Sequence, residues 1–497
     1  METSQIVALT ARELAVRVRD GSITARRAAD AYLSRVDAVQ RAFGPFAHAT
    51  PDRCRAQADA IDQARARGET LGPLAGVPVG LKNIFVTQGV PTTCGSKILS
   101  GWTPQYEGAQ AACLRQAGAV LVGKLAMDEF AMGSSNENTP FEPVRNPWAR
   151  DHVPGGSSGG SAVVVSARAA ALSLGSDTGG SIRQPASLCG LVGLKPTYGR
   201  VSRFGMIAFA SSLDQAGPFA RDTRDAALAL SVLAGHDPRD ATSLNAPVPD
   251  YLGACETPIK GLRVGYDPDG LNHEGLDPEV RRAFEVSLRV LRERGAEIVE
   301  VALPHAHLGV ATYYVLCAAE AASNLARYDG VRYGRRQPQP SLDGMYAATR
   351  EAGFGEEVKR RILLGTYVLR ASSYEEYYGR AMKVRTLIAS DYRAAFECCD
   401  LLVTPTSPFP SFRIGEKVSD PLAMYLSDIY TVGANLAGLP AISIPGGFSQ
   451  AATDRPRLPI GFQLLGPRLA EPRLFAAAAA HEADTSWHLE RPPGIKA

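Results

Sequence analysis

The chain has 497 residues, of which 45% are hydrophobic and 21% charged, and its 53 basic and 51 acidic side chains leave a formal charge of +2. This is ordinary globular usage with enough apolar material for a sizeable core, and it lacks the basic excess of a chain that grips nucleic acid by itself. Eight cysteines without a Cys-x-x-Cys and eight scattered histidines predict reduced thiols and no metal site, and no apolar run approaches the roughly 18–20 residues of a membrane span.

Met1–Thr10 has no basic segment followed by an apolar one, so no signal peptide is expected and the chain reads as cytoplasmic. Residues 10–67 read as helices. Thr10-Ala-Arg-Glu13 fits a capping box, Leu14, Val18, Leu33, Val36 and Val39 recur at helical spacing, and Gly68 ends the region. From Leu74 the texture changes to short Val-, Ile- and Gly-rich runs at Val77–Phe85, Ala119–Lys124 and Leu191–Lys195, with a helical piece at Ala109–Ala117. The alanine-rich run Ala162–Leu174 predicts a buried helix. Further on, Asp222–Leu233, Asp277–Arg294, Tyr313–Tyr328, Glu356–Ser372 and Glu375–Cys399 predict helices. Gly261–Tyr266, Ala296–Val301 and Asp400–Thr404 predict strands, and Ala441–Pro445 with Leu458–Leu465 a pair of strands around a Gly-rich loop. Alternating strands and helices argue an α/β sheet. Length alone suggests about three domains, but no linker divides the chain. The expectation is one domain over 1–497, with 1–70 as a helical N-terminal cap.

Two strings carry the chemistry: Gly155-Gly-Ser-Ser-Gly-Gly-Ser161 and Ser176-Asp-Thr-Gly-Gly-Ser-Ile-Arg-Gln-Pro185. A flexible linker has similar content, but core-like sequence does not normally interrupt one. The first string ends in Ser161-Ala162 without the lysine of a phosphate-binding loop, and Ser181 is not flanked as in a Gly-x-Ser-x-Gly elbow. The remaining reading is a serine nucleophile with a lysine base. A serine hydroxyl needs a base to attack an amide. Lysine serves only when neutral, and burial disfavours its ammonium form. Lys82, between Val79-Gly-Leu81 and Ile84-Phe85, has an apolar setting, although a lysine at a strand end is also read as an exposed cap. The amides of Thr178-Gly-Gly-Ser181 can converge on one point and hold an oxyanion.

These strings, with Cys189-Gly-Leu-Val-Gly-Leu-Lys-Pro-Thr-Tyr-Gly-Arg200, resemble the amidase signature family over roughly residues 74–218. The resemblance implies an α/β amidase-signature fold, with a large mixed central sheet covered by helices on both faces and a helical N-terminal region. It implies a triad of Ser181 as nucleophile, Ser157 as bridging serine at a cis peptide and Lys82 as base, with Thr178, Gly179, Gly180 and Ser181 forming the oxyanion hole. Lys124–Asn138, Tyr198–Asp214, Ser323–Tyr333 and Gly355–Gly365 are similar to the glutamine-hydrolysing members of that family found in aspartyl/glutamyl-tRNA amidotransferases. That narrower likeness implies hydrolysis of glutamine within a heterotrimer, the partners being the amidotransferase subunits B and C. The first of these partners would hold most of the misacylated tRNA and use the ammonia with ATP and magnesium, leaving this chain without cofactor, metal or membrane contact. The likeness also implies Arg361 for the glutamine carboxylate and Asp428 for its ammonium, chemistry that suits arginine's planar fork. Without it, Arg361 reads as a surface arginine beside Lys359 and Arg360, and Asp428 as a helix cap. Tyr313 is a candidate pocket wall, and the sequence leaves the choice between it and Tyr314 open. The rivals are a stand-alone amidase for small amides and a degenerate amidase fold used as a scaffold; the intact Lys82, Ser157 and Ser181 argue against the scaffold.

Overall fold

In a computed structural model that describes residues 1–272, 274–452 and 456–495, apolar runs too short for helices become strands of one mixed sheet. The strands are β1 (Phe46–Ala49), β2 (Pro78–Lys82), β3 (Val120–Leu125), β4 (Leu172–Asp177), β5 (Val192–Lys195), β6 (Gln215–Ala220), β7 (Arg263–Tyr266), β8 (Glu297–Glu300), β9 (Leu401–Pro405), β10 (Ala441–Phe448) and β11 (Pro459–Leu465). Among the described residues their order is β1-β3-β2-β4-β6-β5-β10-β11-β9-β7-β8. β2 runs parallel to both β3 and β4, and β7 to both β8 and β9; the other neighbours are antiparallel. Every residue of β2 to β6 is buried. Strands covered on both faces have no reason to alternate, which explains why they read as continuous apolar runs. Only the edge strands β1 and β8 keep exposed positions.

The N-terminal helices form as their sequence dictates. Thr10 Oγ1 accepts the Glu13 N–H while the Glu13 carboxylate accepts the Thr10 N–H, and the helix Ala11–Arg19 follows. Two further helices, Ala25–Phe43 and Pro51–Ala66, complete the region. The expectation of helices throughout residues 10–67 is corrected at one place. Phe46–Ala49 is the edge strand β1, antiparallel to β3, so this region adds to the sheet as well as covering it.

Two other elements differ from their sequence expectation. Ala162–Leu174 is not one helix. The helix Gly159–Ser166 stops, Arg168 takes a positive φ of 57°, and Leu172 already belongs to β4. Ladder bonds to β2 and β6 outweigh the helix propensity of Ala169–Ala171. The long helix predicted at Glu375–Cys399 begins with a π-helical turn, Glu375–Gly379, before Arg380–Cys398. β6 had no counterpart in the sequence reading. It carries Pro218, which on sequence grounds argues against a central strand, yet it sits between β4 and β5 with Pro218 opposite Leu174. The predicted pair near the C-terminus is β10 against β11, in antiparallel register from Ala441 opposite Leu465. Among the described residues no helix is long and apolar enough to cross a membrane.

Candidate active site

Lys82 is the last residue of β2 and is fully buried. Its Nζ donates to Ser157 Oγ at 2.6 Å and to Ser176 Oγ, on the neighbouring β4, at 2.9 Å. Burial lowers the lysine's pKa to about 7, with the charges of Asp128, Asp177 and Asp214 pulling in the other direction. A sizeable fraction of Lys82 is therefore a neutral amine near neutral pH, as a base must be. The exposed-cap reading of this lysine is overturned by its burial. Ser176 lies inside the motif yet carries no sequence signal of contact with Lys82, because only the pairing of β2 with β4 brings them together.

Ser157 sits in the turn that opens the helix Gly159–Ser166, and the Gly156–Ser157 peptide is cis. The turn is braced from one side by Asp128, whose N–H donates to Ser157 O at 3.2 Å. The Asp128 carboxylate accepts the N–H groups of Asn136 (3.0 Å) and Asn138 (2.9 Å) and lies where a Cβ on Gly156 would fall. Burial pushes the Asp128 carboxyl up to about 7 against those backbone bonds. From the other side, Gly156 N–H donates to Gln184 Oε1 at 3.1 Å.

Ser181 ends the turn Thr178–Ser181 between β4 and the helix Arg183–Cys189. Asp177 anchors this turn. Its carboxylate accepts the Ile182 N–H at 3.2 Å and receives Arg183 Nε and Nη2 at 3.0 and 2.9 Å. Both side chains are wholly buried. Burial alone would raise the Asp177 pKa, but the facing guanidinium brings it down to about 2. Arg183 also reaches Gln463 Oε1 (2.7 Å) and Asn435 Oδ1 (2.5 Å). Thr178 Oγ1 donates to Asp214 at 2.6 Å, and Thr431 Oγ1 donates to Gly179 O at 2.5 Å. Because C=O and N–H point in opposite directions across a trans peptide, the Gly179 bond to Thr431 turns the Gly180 N–H away from Thr431. Likewise, Gly180 O accepts the Gln184 N–H at 2.8 Å, which turns the Ser181 N–H the other way. Gly180 has φ 146°, and a Cβ there would clash with Thr431. Lys82 and Ser157 have no exposed surface whereas Ser181 is 8% exposed, so the serine expected to attack is the triad member that substrate can reach.

The residues expected to recognise substrate converge on this turn from three elements. A Cβ on Gly179 would lie 2.6 Å from the Tyr313 ring, so Tyr313 covers the turn directly. Tyr314 faces elsewhere: its ring stacks on Tyr425 at 3.8 Å between centroids, and Arg361 lies 5.0 Å above it. Arg361 is 3% exposed, unlike the exposed Arg360 beside it, which overturns the surface reading. Its Nε donates to Glu357 Oε1 at 2.7 Å, and it lies over Phe209 and Tyr425 at 5.6 Å each. Asp428 is buried and accepts the Ser134 hydroxyl at 2.8 Å. Burial pushes its carboxyl up to about 7, with Ser134 and the Arg361 charge lowering it. It caps no helix by its side chain; its carbonyl accepts the Thr431 hydroxyl at 3.0 Å. Sequence reasoning did not single out Ser134, Phe209, Glu357, Tyr425 or Thr431. Several lie in the long strings that carried the resemblance, but nothing local marks them. Among the described residues no group of three or more His, Cys, Asp and Glu is placed to hold a metal ion.

Comparison with known proteins places the chain among amidases. Residues 27–475 match the family profile described as Amidase. The chain is 53% identical over 484 residues to the A subunit of the glutamyl-tRNA(Gln) amidotransferase of Moorella thermoacetica, an alignment covering 97% of this chain and 98% of that protein. Among solved structures it is similar to the A subunit of the glutamyl-tRNA(Gln) amidotransferase of Thermotoga maritima, with TM-score 0.77, 39% identity and coverage of 100% of this chain and 98% of the other. It is also similar to the native peptide amidase of Stenotrophomonas maltophilia, with TM-score 0.81, 30% identity and coverage of 98% and 99%.

Proposed function

The chain belongs to the amidase signature family, and from that premise we propose that it works as the glutamine-hydrolysing subunit of a glutamyl-tRNA(Gln) amidotransferase. The observation that carries the reading is its 53% identity, over 97% of its length, to the A subunit of such an enzyme. The site chemistry supports it. Neutral Lys82 takes a proton from Ser157 as Ser157 takes one from Ser181, and Ser181 Oγ forms a bond to the side-chain carbonyl carbon of glutamine. The carbonyl oxygen becomes an oxyanion held by the amides of the Thr178–Ser181 turn, each such donor being worth about 3–4 kcal/mol. The same relay returns a proton to the amide nitrogen as the C–N bond breaks, and ammonia leaves. Water, deprotonated through Ser157 by Lys82, then attacks the γ-glutamyl ester and releases glutamate and Ser181.

Glutamine carries a carboxylate and an ammonium. Arg361 receives the first: its Nη atoms make no hydrogen bond among the described residues, and the tyrosine faces hold the guanidinium still. Asp428 receives the second. Tyr313 closes the pocket over the turn. Ammonia passes to a partner, and subunits B and C complete the assembly. The first of these, which also holds most of the misacylated tRNA, uses ATP and magnesium to activate Glu-tRNA(Gln) or Asp-tRNA(Asn) for amidation; this chain needs no cofactor of its own.

The test is ammonia release from glutamine by the purified chain, alone and with its partner subunits, ATP and glutamyl-tRNA. The expected result is weak activity alone that rises strongly on assembly and vanishes in Ser181→Ala. Full activity alone on simple amides, with little preference for glutamine, would instead identify a stand-alone amidase.

A further inference from the structure

A cavity of about 570 Å³, whose lining includes no triad residue, is within the size range of ligand sites. Its walls include Trp102, Tyr106, Tyr328 and Tyr333, and its rim carries Arg332 and Arg335. Tyr106 and Tyr333 are 47% and 52% exposed, which is unusual for large rings with no visible task. The loop that supplies Arg332–Arg335 is well held: Arg335 N–H donates to Ile98 O at 2.7 Å, and Gly330 N–H donates to Tyr333 O at 3.0 Å. No carboxylate lines the cavity, and neither rim arginine makes a salt bridge among the described residues.

Tryptophan, tyrosine and arginine are the residue types that dominate the energetic centres of protein interfaces. Here they stand together, with Tyr106, Tyr333, Arg332 and Arg335 exposed and Trp102 half-buried, on a chain whose relatives are subunits of a larger enzyme. We propose that this cavity is a docking site for an acidic segment, anchored by an apolar side chain, of another subunit of the amidotransferase. The inference rests on the function proposed above. Charge selects the occupant. A second copy would set arginines against arginines across a two-fold axis, which like-charge repulsion opposes. A nucleic acid would call for basic surface well beyond the rim, whereas the chain as a whole is nearly balanced at +2. The cavity also adjoins the site. Tyr328 packs on Phe130 at 5.1 Å, two residues beyond Asp128, and Asn324 on the cavity wall donates to Phe209 O at 3.1 Å.

The experiment measures association of the chain with its partner subunits by sedimentation, for wild type and the R332E/R335E double variant. The double variant should bind at least ten times more weakly and lose most of the salt dependence, while its glutaminase rate in isolation stays that of wild type. Unchanged affinity would overturn the inference. Hydrogen exchange on the wild-type complex needs no variant: residues 328–336 should exchange more slowly in the complex than alone, and equal exchange would equally overturn it. Saturable quenching of Trp102 by a single-stranded RNA that displaces the subunits would replace the protein occupant with nucleic acid. If wild type neither hydrolyses glutamine nor assembles, the functional reading falls and takes this inference with it. Assembly and hydrolysis that ignore both rim arginines remove the inference alone.

Discussion

Lys82 Nζ and Ser157 Oγ lie 2.6 Å apart although 75 positions separate them in the chain. Lys82 sits at the end of a strand that is covered on both faces, and Ser157 in a turn pressed against it by Asp128 and Gln184. The lysine is thereby stripped of water while its nitrogen keeps hydroxyl partners, the state that the proposed base requires.

With its pKa lowered to about 7, Lys82 should show in the pH profile. Glutaminase kcat should climb as pH rises through about 7 and then level off, because the neutral amine is the active form. Lys82→Arg should be as inactive as Lys82→Ala, since a guanidinium stays protonated; each should fall by about a thousandfold or more. A profile flat from about pH 6 to 8 would remove Lys82 as the base.

Arg361→Ala should raise KM for glutamine by about 10- to 100-fold, the worth of a charged hydrogen-bonding contact. Propionamide, which has no α-carboxylate, should be hydrolysed by wild type and variant with similar kcat/KM. Equal losses on both substrates would make Arg361 a structural residue held by Glu357 and the tyrosines.

Asp177→Asn removes the countercharge of Arg183, whose side chain is completely buried. Leaving one partner of a buried pair costs about 3–5 kcal/mol, to be read from urea unfolding midpoints. Replacing both by Met should cost less than the single change. If Asp177→Asn unfolds like wild type, the pair does not anchor the Ser181 turn.

Lys124 tests burial apart from catalysis. It is fully buried on β3, its Nζ donates to Phe85 O at 2.6 Å and Thr92 Oγ1 at 2.7 Å, and burial lowers its pKa from 10.5 to about 7. Between those values the unfolded chain holds a proton that the folded chain lacks, so the lysine's cost shrinks as pH rises, by about 1.4 kcal/mol per unit. The stability of Lys124→Met minus that of wild type should therefore fall between pH 7 and 9 in urea unfolding. A gap that holds constant over that range would mean the ammonium is retained in the fold.

The strings that hold the proposed triad were legible because their chemistry is local. Glycine pairs beside serines favour amide-lined turns, whereas the apolar run around Lys82 left burial and an exposed cap both open. The Phe46–Ala49 strand was not legible, since four residues carry no period of their own and pair only because β3 offers an edge. Pro218 hid β6 for the converse reason: a rule about missing donors yields where its neighbours can accept the gap. The alternatives Tyr313 and Tyr314 were inseparable in sequence, and a helix rotation of one residue sends the first to Gly179 and the second to Arg361.

By itself the sequence determined which reactive groups this protein owns: a serine on each of two glycine-rich turns, one lysine in apolar surroundings, and the residue types that suit glutamine's two charges. Only the tertiary structure decided what those groups are. Arg360 and Arg361 are identical as residues, yet one is exposed and the other is buried between aromatic faces. Lys82 is desolvated because β3, β4 and the Ser157 turn together exclude water from it. Desolvation depends on every neighbour at once, and no local pattern in a chain encodes it.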